Sequence, residues 1–358
     1  MTTLYSCKRL TTGSTLLMIV FTVISVPSFC QLSKAPRSKV STHRHAVHTK
    51  RKSFGVRRYD RIGLAVHALN YYGDLAPGPQ RLSSDLALTR PGIGLSYIRR
   101  VGPFYSLKIE MMRGTIKGSD NASADRSDGS SVNRYWRNMS FRNRLTELSV
   151  TAKFDLSENH GFYFHRHPIV FYVFCGVSVI YHNPQAKAPS VDLFGNPLKE
   201  AGQWVSLRPL GTEGQYSRLQ PGDVNYGIKP YSKIQPSAIS GGGFRIKLDE
   251  VYDISFEAGI RLLFTDYIDD VSKNYVDLGT LESELSRAMS YRTNELEFPD
   301  QSQTYVGRDG NVYTVRAGYG SEHRDNVRGS ANDNDFIFVT TVRVTRIVNA
   351  KMHKAKSR

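Results

Sequence analysis

Carboxylates come nearest to a chemical pattern in this chain. Asp266, Asp269, Asp270 and Asp277 lie close together, and oxygen ligands at that density are what a Ca²⁺ ion takes. They lack the loop spacing of an EF-hand, so helix capping and solvated loop charge are the preferred account and no metal is assigned. His43, His45 and His48 sit in a basic segment with no acid or cysteine beside them to fix a coordination geometry. His160, His165, His167 and His182 flank a strand-like run and read as polar girdle residues. Gly241-Gly242-Gly243 imitates a phosphate cradle, but a strand follows where a helix is required. Glycine at the entry of a strand, where a bend or a close side-chain approach is needed, accounts for it better. No G-x-S-x-G, H-E-x-x-H, phosphate loop or paired zinc cysteines occur, and no spacing singles out a serine, histidine and acid for a lipase site. The expectation is a non-enzyme without a cofactor.

A second set of charges recurs every other residue. Lys108, Glu110, Glu147, Lys153, Arg245, Lys247, Glu257, Arg261 and Arg343 fall on the polar row of segments that alternate with an apolar row, the period of a strand with one apolar and one polar face. Eight segments carry this alternation: Ile62–Ala68, Ile93–Arg99, Tyr105–Met111, Glu147–Leu156, Ile169–Tyr181, Gly241–Leu248, Ile254–Phe264 and Phe336–Ile347. The fifth is apolar on both faces at first, and its β-branched and aromatic content argues for strand over helix.

The connections alternate strictly between short and long. Residues 100–104, 157–168 and 249–250 are brief, whereas 72–89, 112–146, 182–240 and 265–335 are extended. Such a layout predicts an all-β fold: an eight-stranded antiparallel outer-membrane β-barrel with short periplasmic turns and long extracellular loops. At eight strands the interior is only wide enough to be filled by side chains, so the inner charges are expected to form a buried ion-pair plug and not to line a pore. In the last long loop, Leu278–Arg292 reads as one short helix capped by Thr280 and folded over the barrel mouth. A hairpin is expected around Asp309-Gly310.

The ends suit an exported protein. Lys8-Arg9, the apolar run Leu16–Val26 and the small residues before Gln31 make residues 1–30 a signal peptide. Removing it leaves Cys175 alone, so no intramolecular disulfide is expected. Residues 31–58 form a basic leader, 59–348 the barrel and 349–358 a basic tail, in a 358-residue chain of net charge +16. For an exported protein that charge points to anionic lipid headgroups or an acidic periplasmic partner, not to nucleic acid.

Several loop-base motifs carry a family likeness. Asn70-Tyr71-Tyr72-Gly73-Asp74-Leu75, Phe141-Arg142 followed by Glu147, the stretch from Pro209 through Glu213 and Gly214 to Gln215, and Phe264 through Asp266, Tyr267, Asp269 and Asp270 to Ser272 with Tyr275 occur in that order. The set resembles a Bacteroidota outer-membrane β-barrel family that includes the PorG-like barrels of the type IX secretion system. The resemblance spans residues 60–347 and implies an outer-membrane anchor or assembly component, with outer-membrane lipid and periplasmic ring or lipoprotein components as partners. Its family-specific residues, Asn70, Tyr72, Gly73, Asp74, Glu213, Gly214, Asp266, Tyr267, Asp269 and Asp270, lie mainly at loop bases and are expected to fix loop shape. The long leader, the expanded last two loops and the tail depart from the family pattern. The rival readings are a structural or adhesion barrel with environment-facing loops, and an outer-membrane enzyme with a loop-borne site.

Overall fold

The computed structural model describes residues 58–75, 88–124, 129, 131–296, 301–331 and 334–348. The expected signal peptide, nearly all of the leader and the basic tail lie outside them. Eight long strands alternate as their sequences require: β1 (Asp60–Tyr72), β2 (Arg90–Arg100), β3 (Tyr105–Ser119), β4 (Ser140–Asp155), β5 (Ile169–Tyr181), β8 (Ile234–Lys247), β9 (Tyr252–Leu263) and β12 (Phe336–Val348). Each pairs antiparallel with its neighbours in the order β3-β2-β1-β12-β9-β8-β5-β4, and β3 bonds back to β4. The sheet is therefore a closed barrel with no free edge, one of the two backbone arrangements that leave no unpaired amide in lipid.

Outward positions form a continuous apolar surface that includes Leu64, Val66, Ile93, Leu95, Ile109, Met111, Leu148, Val150, Phe171 and Val177, all well exposed. A water-soluble domain has no reason to expose so much; a membrane barrel turns this surface to lipid.

The strands run further toward the long loops than their hydropathy suggests. β3 extends past Met111 to Ser119, β4 starts at Ser140 in place of Glu147, and β8 starts at Ile234 in place of Gly241. The cause is an inversion of pattern. Along β3, Ser106, Lys108 and Glu110 point inward and Leu107, Ile109 and Met111 outward; beyond them Met112 and Ile116 point inward, and Arg113 and Lys117 outward. On β1 and β12 the inward row likewise turns apolar at Leu69 and Val339, while the outward row keeps Tyr72, Phe338 and Phe336. Past that level the interior is apolar and the outward rows of β3 and β4 are polar, so a search for outward apolar residues stops too early on those strands. It also follows that Gly241-Gly242-Gly243 lies inside β8 and not at its entry. A side chain on Gly243 would collide with the Phe256 carbonyl at 2.2 Å, because β9 passes so close.

The upper interior is an apolar core. Leu69, Met112, Ile116, Phe141, Leu145, Leu263, Ile337 and Val339 from the strands pack with Leu75, Ile268, Val271, Tyr275 and Met289 from the loops. In the β5–β8 loop, β6 (Pro184–Lys187) pairs with β4 and β7 (Trp204–Ser206) with β6. The hairpin of β10 (Ser302–Val306) and β11 (Val312–Arg316) turns around Asp309-Gly310. The single loop helix is corrected. Residues Leu278–Thr280 make a 3₁₀ turn capped by Asp277, and the later helix, Glu284–Ser290, is capped by Ser283, whose hydroxyl accepts from the Ser286 amide. Thr280 is spent closing the first turn, so it cannot start the second. Two further short helices, α1 (Asp120–Ser123) and α2 (Val132–Arg137), occupy the β3–β4 loop, and Glu284–Ser290 is α3.

Candidate functional site

Below the apolar core the lumen holds two layers of paired charge. In the middle layer Arg343 reaches Glu110 at 2.5 Å and Glu257 at 2.8 Å. Lys108 bonds Glu110 at 2.7 Å, Lys153 bonds Glu257 at 2.6 Å, and the Tyr172 hydroxyl donates to Glu257 at 2.8 Å. His67 faces Glu110 and its other ring nitrogen meets Thr341. Toward the short turns, Asp155 takes Arg100 and Arg245, and Asp253 takes Arg61 and Arg166. Arg261 lies 3.5 Å from Glu147, and the Lys247 ammonium donates to the Phe164 carbonyl near the turn. All these side chains are buried or nearly so, and ring faces add to the packing: Lys153 sits over Tyr172. Arg61, His67, Arg100, Asp155, Arg166, Tyr172 and Asp253 are members that the alternation alone did not single out as a site.

A different constellation lies where the long loops leave the barrel. The Tyr71 hydroxyl stands 2.7 Å from Asp269 Oδ2 and 2.8 Å from Asp335 Oδ1. One phenolic proton can serve only one carboxylate, so the second short contact requires a proton on a carboxyl group. Burial first, and a neighbouring carboxylate next, push Asp269 and Asp335 well above the usual range. Gly73 lies against this pair, where a methyl group would sit 1.9 Å from Asp335 and 2.1 Å from the Tyr71 oxygen. A larger residue there would have to displace the Tyr71–Asp335 contact.

Around this pair each carboxylate joins different loops. Asp74 accepts the Ser330 amide through both oxygens and is pushed up by burial to about 6. Glu213 accepts the Ser272 and Lys273 amides, the Tyr267 hydroxyl and Arg328. Asp270, strained into the left-handed region at φ 74°, accepts Thr212 and Tyr231 hydroxyls and faces Arg328. Burial raises it to about 6 against the pull of that arginine. Arg137 forks onto both oxygens of Asp120 and also donates to the carbonyls of Asp74 and Arg328. Asp266 is buried without a hydrogen bond of ordinary geometry at either oxygen, and burial, reinforced by Asp74, pushes it up to about 9 despite the nearby Ser272.

The structure thus brings Asp74, Glu213, Asp266, Tyr267, Asp269 and Asp270 into one neighbourhood. Asn70 and Tyr72 stay on the outward face of β1, where Asn70 accepts from Thr89 and Tyr72 stacks on Phe336 of β12. Gly214 occupies a left-handed turn against Val276. Sequence reasoning missed Asp120, Arg137, Tyr231, Arg328 and Asp335, which no motif or alternation marks, and Thr212 enters it only as part of the Pro209–Gln215 motif. Tyr71 lies within the Asn70–Leu75 motif, and its parity in β1 points it inward. Among the described residues no three histidine, cysteine or acidic side chains converge as a metal site. What the arrangement does chemically is clasp: buried carboxylates tie the β1–β2, β3–β4, β5–β8 and β9–β12 connections into one head.

Residues 52–188, less than half of the chain, match the family described as Domain of unknown function (DUF6089). No curated protein matches. Among solved structures, the outer membrane protein OprG from Pseudomonas aeruginosa is 7% identical with a TM-score of 0.34, over 82% of this chain and 97% of that one. A major outer membrane protein from Thermus thermophilus is 11% identical with a TM-score of 0.35, over 81% and 99%. Neisserial surface protein A is 8% identical with a TM-score of 0.32, over 81% and 96%. The barrel assignment rests on this chain's own closed strand order and apolar outer surface.

Proposed function

We propose that the protein is an outer-membrane anchor and presenting platform, neither a conduit nor an enzyme. The observation that carries this reading is the filled lumen: two layers of paired charge, capped by an apolar core that is continuous with the loop head. The finer assignment is an assembly component of a type IX secretion or gliding apparatus that meets periplasmic ring or lipoprotein partners. It draws its support from the loop-base motifs around Asn70–Leu75, Glu213 and Asp266–Ser272. Two measurements test it. The full chain in planar bilayers is expected to show no unitary conductance, and steady open-channel steps would overturn the platform reading. Cross-linking in cells is expected to capture periplasmic ring or lipoprotein components, and capture of external surface material alone would move the assignment to the second reading.

That second reading is an adhesion-type barrel. It is favoured by the loop head, which carries an open cavity of about 510 Å³ lined by Asp277, Gln303, Tyr305, Glu322, His323 and Asn326. A polar pocket on an ordered head suits contact with the environment better than a loop that serves only to cover the barrel.

A further inference from the structure

One sector of the outer wall carries unpaired cations directly beyond the apolar surface. On β3 the outward row passes from Leu107, Ile109 and Met111 to Arg113, Thr115 and Lys117. On β4 it passes from Phe154, Val150 and Leu148 to Thr146, Arg144 and Arg142. Pairing sets Arg113 against Thr146, Thr115 against Arg144 and Lys117 against Arg142, so the four cations interleave across two neighbouring strands. Among the described residues Arg113, Lys117 and Arg144 make no ion pair. Arg142 leans on the Trp204 ring at 3.7 Å and on the Gln185 amide oxygen, and Lys187 follows on the same face of β6. Among the described residues the corresponding outward positions elsewhere include Tyr72 stacked on Phe336, Phe264, Tyr181 and Ile234.

We infer that this β3–β4–β6 sector binds the phosphate-bearing headgroup of an anionic lipid in the leaflet on the long-loop side. The cations continue the same strand faces that carry the lipid-facing surface, so the group opposite them belongs to a lipid whose chains lie along Ile109, Met111, Leu148 and Val150. Guanidinium groups match phosphate oxygens in pairs, and a tryptophan beside them is a membrane-interface residue. Confinement to one sector makes it a site and not a girdle: the lipid docks on one side of the barrel. The inference rests on the barrel being embedded as described, and it is independent of the secretion assignment.

The test is native mass spectrometry of the full chain in detergent, with phosphatidic acid or phosphatidylcholine of matched chains as probes. Wild type is expected to retain phosphatidic acid through activation and to lose phosphatidylcholine. Arg113→Gln, Lys117→Gln and Arg144→Gln together are expected to lower retention about tenfold or more. Arg346→Gln, which removes an outward cation near the short turns, should keep most of it. Equal retention of the two lipids by wild type, unchanged retention in the triple variant, or equal loss in Arg346→Gln would overturn the site. Loss of a co-purifying protein from the triple variant with lipid retention unchanged would assign the patch to an acidic partner and overturn it as well. Mobility of unheated samples on gels scores barrel formation separately, so failure to fold is not read as failure to bind.

Discussion

Arg343 is fully buried between two carboxylates, and its removal would strand both. Arg343→Met is expected to destabilise the barrel by about 3–5 kcal/mol, since the charges left behind have only Lys108 and Lys153 to answer them. Urea unfolding followed by gel mobility measures this, and a change under about 1 kcal/mol would mean that the middle layer is wet. The loop head titrates differently. Asp74 and Asp270 at about 6 and Asp266 at about 9 all lie above the unfolded value of about 4. The folded head then holds more protons than the unfolded one between those values. Its stability is full below about pH 4 and is lost as pH rises, through about 6 for two groups and about 9 for the third. Hydrogen exchange in residues 264–277 should therefore quicken from pH 6 to 9 beyond its intrinsic rate, and Asp266→Asn should flatten that rise.

At the scale of the strand, parity decides what a position tolerates. Gly242 and Gly243 are adjacent in β8 and face opposite ways. A methyl group on Gly242 would meet the Tyr172 carbonyl at an ordinary 3.5 Å, whereas on Gly243 it would lie 2.2 Å from the Phe256 carbonyl and 3.0 Å from the Glu257 Cα. Gly243→Ala is thus expected to cost about 1–3 kcal/mol and Gly242→Ala less than about 0.5. Parallel unfolding curves check this, and equal effects would mean that the β8–β9 approach is looser than described. The same parity explains the inversion of pattern along β3 and β4. Within lipid the wall needs apolar residues outside and tolerates charge inside; beyond it water is outside, and the loop head supplies an apolar filling.

For the whole molecule, an even number of strands puts the start of β1 and the end of β12 at the short-turn end. The basic segments 31–58 and 349–358 precede and follow these two strands in the sequence, and we propose that their charge favours an acidic periplasmic surface, with attraction screened over about 8 Å at physiological salt. Deleting 31–58 is expected to leave the barrel inserted and to loosen a co-purifying periplasmic component, as should high salt on the intact protein. An identical partner list in pull-downs at both salt levels, with and without the leader, would remove the anchoring role assigned to it.

The eight barrel strands and the direction of the side chains in their lipid-facing parts were legible in the sequence, because a period of two is a local property and lipid selects for it strongly. Inward Lys108, Glu110, Glu257 and Arg343 could be picked out by parity alone. Which of them pair could not: the Arg343–Glu110 contact joins residues 233 apart, and only barrel closure makes them neighbours. The loop head lay further out of reach. Asp269 and Asp270 look like solvated loop acids in the chain, and they become a buried clasp only when Tyr71 meets them from β1 and Arg328 and Asp335 fold back from the far end of the same long connection. Burial, which sets both their protonation and their role, is a property of the assembled fold and of no single stretch.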